Sequence, residues 1–175
     1  MHRIIIFSLV FFFSSGLFGQ AKEYRVDLNE AFSLYQNAYN NATAAYEMLI
    51  KGYKKSSNIF DVHYYFESSK KYTIAAKSYC ENAVRTLDNL KSTMEGKECD
   101  SGLEEINGAK MNFDGTIAKY DDAIQTLDTG LETEDLNMLG TQLQLSVQNL
   151  QTSVMKLNAA MDELNGAVSE LRGCN

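Results

Sequence analysis

The chain has 175 residues, with 16 Lys and Arg against 23 Asp and Glu for a formal charge of −7, three cysteines and no proline. The acidic excess lies wholly after residue 100: residues 22–100 carry eleven side chains of each sign, residues 101–175 four basic and twelve acidic. A surface of that sign repels phosphate backbones and anionic lipid, which excludes general nucleic-acid and membrane-surface binding.

Residues 1–21 read as an export signal. His2 and Arg3 precede the apolar run Ile4 to Phe13, and Ser14, Ser15 and Gly16 lead to a cleavage point after Gly19 or Ala21. The run is shorter than the roughly 20 residues a membrane span needs, so no stable span is expected once it is removed. The expectation is an exported protein, periplasmic or extracellular, in which residues 22–175 form one domain. A chain of roughly 150 residues buries a continuous core without help from a metal.

Four helical segments follow. The first opens on Asp27-Leu28-Asn29-Glu30, a capping-box arrangement, and its predicted buried face runs from Leu28 through Phe32, Tyr35, Tyr39, Ala42, Ala45, Tyr46 and Leu49 to Tyr53. Ser56, Ser57 and Asn58 form the turn. The second helix spans about Ile59 to Met94, with Val62, Phe66, Ser69, Thr73, Ala76 and Cys80 opening its buried side and Gly96 as its stop. A third, capped by Asp100 or Ser101, carries Leu103, Ile106, Ala109, Phe113, Ile117, Tyr120, Ile124 and Leu127 and closes at Asp128-Thr129-Gly130. Within it Gly108 and Gly115 each cost roughly 1 kcal/mol against alanine.

The fourth helix, with Thr133 as its cap, holds the most regular pattern in the chain. Leu136, Leu139, Leu143, Val147, Leu150, Val154, Leu157, Met161, Leu164, Val168 and Leu171 recur in steps of three and four. A stripe of that kind hides only against other helices with matching stripes. The predicted fold is therefore all-α, an antiparallel up-down-up-down four-helix bundle. The same stripe also fits a coiled-coil homodimer.

In an up-and-down bundle the turn between the second and third helices lies at the same end as the C-terminus. That topology predicts a disulfide between Cys99 and Cys174, with Cys80 buried as a small apolar residue. A Cys80–Cys99 bridge is the alternative and requires the second helix to end early.

Chemistry is constrained mainly by what is missing. Past the signal His63 is the one histidine, and Glu-x-x-His, Cys-x-x-Cys, Gly-x-Ser-x-Gly and Gly-x-x-x-x-Gly-Lys do not occur. No catalytic, metal or cofactor residues are expected, and the protein is read as a non-enzyme. The adjacent acids Glu104/Glu105, Asp121/Asp122 and Glu134/Asp135 diverge by about 100° on a helix and form a solvated face. Asn41-Ala42-Thr43 fits the N-glycosylation pattern inside a helical segment.

Aromatic spacing supplies the candidate surface. Phe32, Tyr39, Tyr46 and Tyr53 are seven apart, as are Tyr65, Tyr72 and Tyr79, and alanines nearby would let the first two helices approach as a seam flanked by both rows. As amphipathic rings they either cover that seam or, with Lys54, Lys55, Lys70 and Lys71, form a contact surface for a protein or glycan partner. The functional expectation is an envelope-associated or secreted interaction, inhibitor or chaperone-like module. The alternative is a carrier that holds a small apolar ligand or lipid between its helices.

Overall fold

The computed structural model describes residues 22–55, 58–96 and 99–171. The predicted export signal and Cys174 lie outside them. Four helices make up the described chain, with no strand among the described residues: α1 (Lys22–Lys54), α2 (Ile59–Met94), α3 (Asp100–Leu131) and α4 (Leu136–Leu171). Each packs on its sequence neighbours, and α1 closes the ring by the thinnest contact, on α4. Among the described residues no helix is long and apolar enough to cross a membrane.

The core follows an unbroken three-and-four alternation in every helix. It reads Leu28, Ala31, Tyr35, Ala38, Ala42, Ala45 and Leu49 on α1, and Val62, Phe66, Ser69, Thr73, Ala76 and Cys80 on the first half of α2. It continues as Ile106, Ala109, Phe113, Thr116, Tyr120, Ala123 and Leu127 on α3, and Leu139, Leu143, Ser146, Leu150, Ser153 and Leu157 onward on α4. This rhythm holds one narrow face of each helix toward a common axis. Six leucines of the α4 stripe, from Leu139 to Leu171, are buried within one chain, whereas Leu136 at its start is about half exposed, so most of the stripe is closed by its own bundle.

Antiparallel register shows directly in three lysine–aspartate pairs between α2 and α3: Lys70 with Asp128, Lys77 with Asp121 at 2.6 Å, and Lys110 with Asp88 at 2.6 Å. As the α2 partner advances along the chain, the α3 partner retreats by the same number of residues. Each pair is partly solvated and screened by water, so their main effect is to fix the register.

Helix ends depart from the sequence reading in informative ways. The first helix starts more than a turn before Asp27, because Tyr24 is buried and extends the core. Asn58 caps α2 as its side chain accepts from the Phe60 amide at 3.0 Å, and Gly96 takes the left-handed conformation (φ 81°) just past its end. Cys99 holds the α3 cap position with no side-chain cap bond, so neither Asp100 nor Ser101 caps it. On α4 the cap is Asp135, whose carboxylate accepts from the amides of Asn137 (2.8 Å) and Met138 (3.4 Å). Thr133 instead accepts from the Asp135 amide at 3.2 Å.

The α3 glycines have a packing role. A Cβ at Gly108 would lie 2.7 Å from a Glu163 carboxylate oxygen and one at Gly115 2.9 Å from the Lys156 ammonium nitrogen, so both glycines let long α4 side chains cross α3. At Gly130 a Cβ would collide with the buried Phe66 ring, whereas Gly140 has open space around it. Gly130→Ala should therefore lower stability by roughly 1–3 kcal/mol through overpacking. Gly140→Ala should raise it by up to about 1 kcal/mol through helix propensity. Urea denaturation of the two variants checks the opposite signs.

Candidate functional site

The two tyrosine rows do not flank one seam, contrary to the sequence expectation. Tyr65 lies between α1 and α2, since a Cβ on Gly52 would come within 3.1 Å of its Cβ. The α1 row turns the other way: Tyr39 packs on Tyr35 with ring centroids 6.0 Å apart, and the Tyr35 hydroxyl donates to Asn158 of α4 at 3.2 Å. The physical reason is that the α1 row follows its core positions by one residue while the α2 row precedes its own. The two rows therefore fall on different flanks. Tyr39, Tyr46, Tyr72 and Tyr79 are half-buried against the core, and Tyr65 is half-buried too.

Lys70 is also less free than expected, being engaged with Asp128, while Lys54, Lys55 and Lys71 are exposed. Large aliphatic side chains stay open at several places, Val26, Met111 and Met155 among them, but the exposed aromatic rings gather at one end of the bundle, where the α1–α2 and α3–α4 connections meet. Phe60 is 85% exposed, Tyr64 65% and Tyr53 64%, with Leu136 and Met138 each about half exposed at the start of α4. Lys51, Lys54 and Lys55 stand beside the aromatic rings, and the His63 ring nitrogen bonds the Thr133 carbonyl at 3.1 Å, tying the two connections together. Sequence reasoning missed Phe60 and Tyr64. Their signal was available, since both fall off the Val62, Phe66, Ser69 rhythm and share the opposite face of α2 at a spacing of four.

At the other end, Leu171 sits beside Gly102, where an added Cβ would be 2.7 Å from its Cδ2, so the last described turn of α4 lies against the first turn of α3. Cys99 is buried there, and Cys174 lies outside the described residues. Cys80 is a buried free thiol in the middle of α2, which removes the Cys80–Cys99 alternative. Burial pushes its thiol well above the ordinary range, so it is held neutral and unreactive.

The interior is polar in places. Ser69 donates to the Ala45 carbonyl at 3.0 Å and Thr73 to the Ser69 carbonyl at 2.9 Å. Ser153 donates to the Leu150 carbonyl at 2.7 Å, while the buried Tyr120 and Ser146 hydroxyls have no hydrogen-bond partner. Burial raises the Tyr120 phenol far above its usual range, and Tyr35 is pushed up to about 12, first by burial and then by Tyr39 and Asp162. Both therefore act as neutral hydroxyls. Asn41 donates from its amide to the Asn37 carbonyl at 2.8 Å and Ala42 is fully buried, so the glycosylation tripeptide lies within helix packing.

One carboxylate pair does converge, across helices and not along one. Glu105 lies over Gly166 and Glu163 over Gly108, a reciprocal exchange between the sequences Glu105-Ile106-Asn107-Gly108 and Glu163-Leu164-Asn165-Gly166. The two carboxyls share a hydrogen bond that requires a proton, which raises Glu105 above the ordinary carboxylate range, with burial and the Glu163 charge adding to it. Among the described residues no three His, Cys, Asp or Glu side chains come together as a metal site.

No protein-family model matches the chain, and no curated protein matches its sequence. The site is thus read from its own geometry.

The carboxyl pair has a stability consequence of definite sign. A carboxyl whose folded pKa is raised contributes stability that is fully present below its ordinary value of 4.5 and is lost as pH rises through the higher folded value. Glu105→Gln should consequently raise the melting temperature at pH 7 to 8, with the gain shrinking toward pH 4. Paired thermal melts across that range measure it.

Proposed function

We propose that this is an exported, non-enzymatic helical bundle that acts through contacts with a protein or glycan partner, made by the aromatic and basic end of the bundle. The observation that carries the reading is Phe60, 85% exposed in the first turn of α2, with Tyr64 and Tyr53 also open and Lys51, Lys54 and Lys55 alongside. Keeping large rings in water is unfavourable for the isolated chain, and aromatic residues beside cations are characteristic of contact surfaces. Tyr39, Tyr46, Tyr72 and Tyr79 act mainly as packing, and Lys71 extends the basic surface along α2. Lys70 stays with Asp128.

The carrier alternative draws support from the thin α1–α4 contact. It is the weaker reading, because buried hydroxyls of Ser69, Thr73, Thr116, Tyr120, Ser146 and Ser153 make the middle of the core partly polar, which suits an apolar ligand poorly.

Export through residues 1–21 and a Cys99–Cys174 bridge belong to the same proposal. The bridge is supported by Leu171 seated against Gly102, which brings the end of α4 beside the start of α3. Such a closure stabilises by roughly 4 kcal/mol on the chain-entropy model. Non-reducing peptide mapping should recover Cys99 joined to Cys174 and Cys80 as a thiol; a bridged peptide containing Cys80 would overturn the assignment.

Phe60→Ala combined with Tyr64→Ala should leave the melting temperature within a few degrees, because neither ring is in the core, and should abolish capture of partners from the native envelope or secreted fraction. Tyr46→Ala should show the reverse pattern, lower stability with capture retained. Loss of capture for Tyr46→Ala alone would move the contact surface to the α1–α4 flank.

A further inference from the structure

We infer that the exposed end of the bundle is self-complementary and pairs with the same end of a second copy of this chain. The inference rests on the contact reading above and names the occupant of that surface.

The end is divided by charge. Lys51 and Lys54 lie on the last turn of α1 with Lys55 just past it, outnumbering the half-buried Asp61 of the first turn of α2, and Glu132, Glu134 and Asp135 lie between α3 and α4. The three lysines and the three acids of the α3–α4 connection are exposed, and among the described residues none of these six is in an ion pair, unlike Lys70, Lys77 and Lys110 along the α2–α3 flank. The apolar residues fall on both sides of this division, with Tyr53, Phe60 and Tyr64 by the basic connection and Leu136 and Met138 by the acidic one. The His63 bond to the Thr133 carbonyl holds the two connections side by side.

Consider what such an end can accept. A phosphate-bearing or anionic surface drawn by the three lysines meets three acids at the same end, so the attraction is largely cancelled. A second copy has no such conflict. A two-fold axis perpendicular to the bundle and running between the two connections lays the basic connection of each copy on the acidic connection of the other, with the rings and the Leu136/Met138 pair between them. Both contacts are formed twice, and the three lysines of each copy meet the three acids of the other, with Asp61 the one like charge on the basic side.

Area agrees with a modest dimer. The five exposed apolar side chains offer on the order of 500 Å² per copy, taking roughly 150–250 Å² for a wholly exposed aromatic ring. Two copies then bury about 1,000 Å² before the charged rim is counted, near the lower bound for a specific interface. Association is accordingly expected at micromolar concentration or above and weakens with salt, since the rim charges are solvent-screened.

The test is sedimentation equilibrium of the purified protein from about 10 μM to 1 mM at low and high salt, with two charge-reversed variants, Lys54→Glu/Lys55→Glu and Glu132→Lys/Glu134→Lys. These residues are exposed and outside the core, and circular dichroism confirms that each variant is folded. Wild type should dimerise, each variant alone should bind itself at least tenfold more weakly, and an equimolar mixture of the two should regain dimers, because both contacts are again between opposite charges. A wild type that stays monomeric at 1 mM, variants that dimerise unchanged, or a mixture that does not pair would each overturn the inference. If the wild type is monomeric while Phe60→Ala/Tyr64→Ala still loses partner capture, self-pairing fails and the contact reading stands; if those substitutions leave both capture and dimerisation intact, both fail.

Discussion

A residue buried at every third or fourth position gives a helix only a narrow apolar stripe, and four such stripes are hidden from water together only by facing a common axis. In this chain the alternation runs without a break from Leu28 to Leu49, Val62 to Met94, Ile106 to Leu127 and Leu139 to Leu171. The remaining features inherit their positions from it. Residues one place before or after a core position fall on the flanks, where Lys70, Lys77 and Lys110 find their aspartates and where Tyr39 and Tyr65 pack. Residues opposite the stripe face solvent, which is why Phe60 and Tyr64 are open.

Within that frame, side-chain size sets how near the helices come. Small residues bring α3 and α4 together, with Gly108, Gly115 and Gly166 roofed by Glu163, Lys156 and Glu105. On α1 the run Ala38, Ala42 and Ala45 is fully buried, and the middle of the core takes up Tyr120 and several hydroxyls in place of large aliphatic groups. A core of that composition gains less from apolar burial than one of leucines. It gains instead in definition, because Ser69 bonds the Ala45 carbonyl of the facing helix and a one-turn slip would break that bond. The unpartnered Tyr120 and Ser146 hydroxyls are the cost of this polarity.

Helix number, direction and most core positions were legible in the sequence because they depend on periodicity alone. The bounds of α2 agree at both ends, with Asn58 and Gly96 supplying chemistry that a sequence displays. Flank assignments were not legible in the same way. Tyr53 shares its spacing with half-buried Tyr39 and Tyr46, yet it is 64% exposed because it sits in the last turn, where α1 stops. The Glu105–Glu163 pair was hidden for a related reason: acids adjacent in sequence diverge, and only the antiparallel pairing of two similar tetrapeptides brings distant ones together. That repeat was visible, but its meaning required the register of α3 against α4.

Charge follows the same division between flank and end. Along the α2–α3 flank the lysines are matched within the chain, so that side presents little uncompensated field despite its many ionised groups. At the end, the polypeptide turns back on itself and no neighbouring helix continues past the turn to supply a partner. Lys51, Lys54 and Lys55 on one connection and Glu132, Glu134 and Asp135 on the other thus keep their fields, and they do so beside the largest exposed rings in the bundle. Exposed rings and unpaired charge of both signs therefore coincide where these helices stop, whereas the large side chains left open elsewhere among the described residues, Val26, Met111 and Met155 among them, are aliphatic.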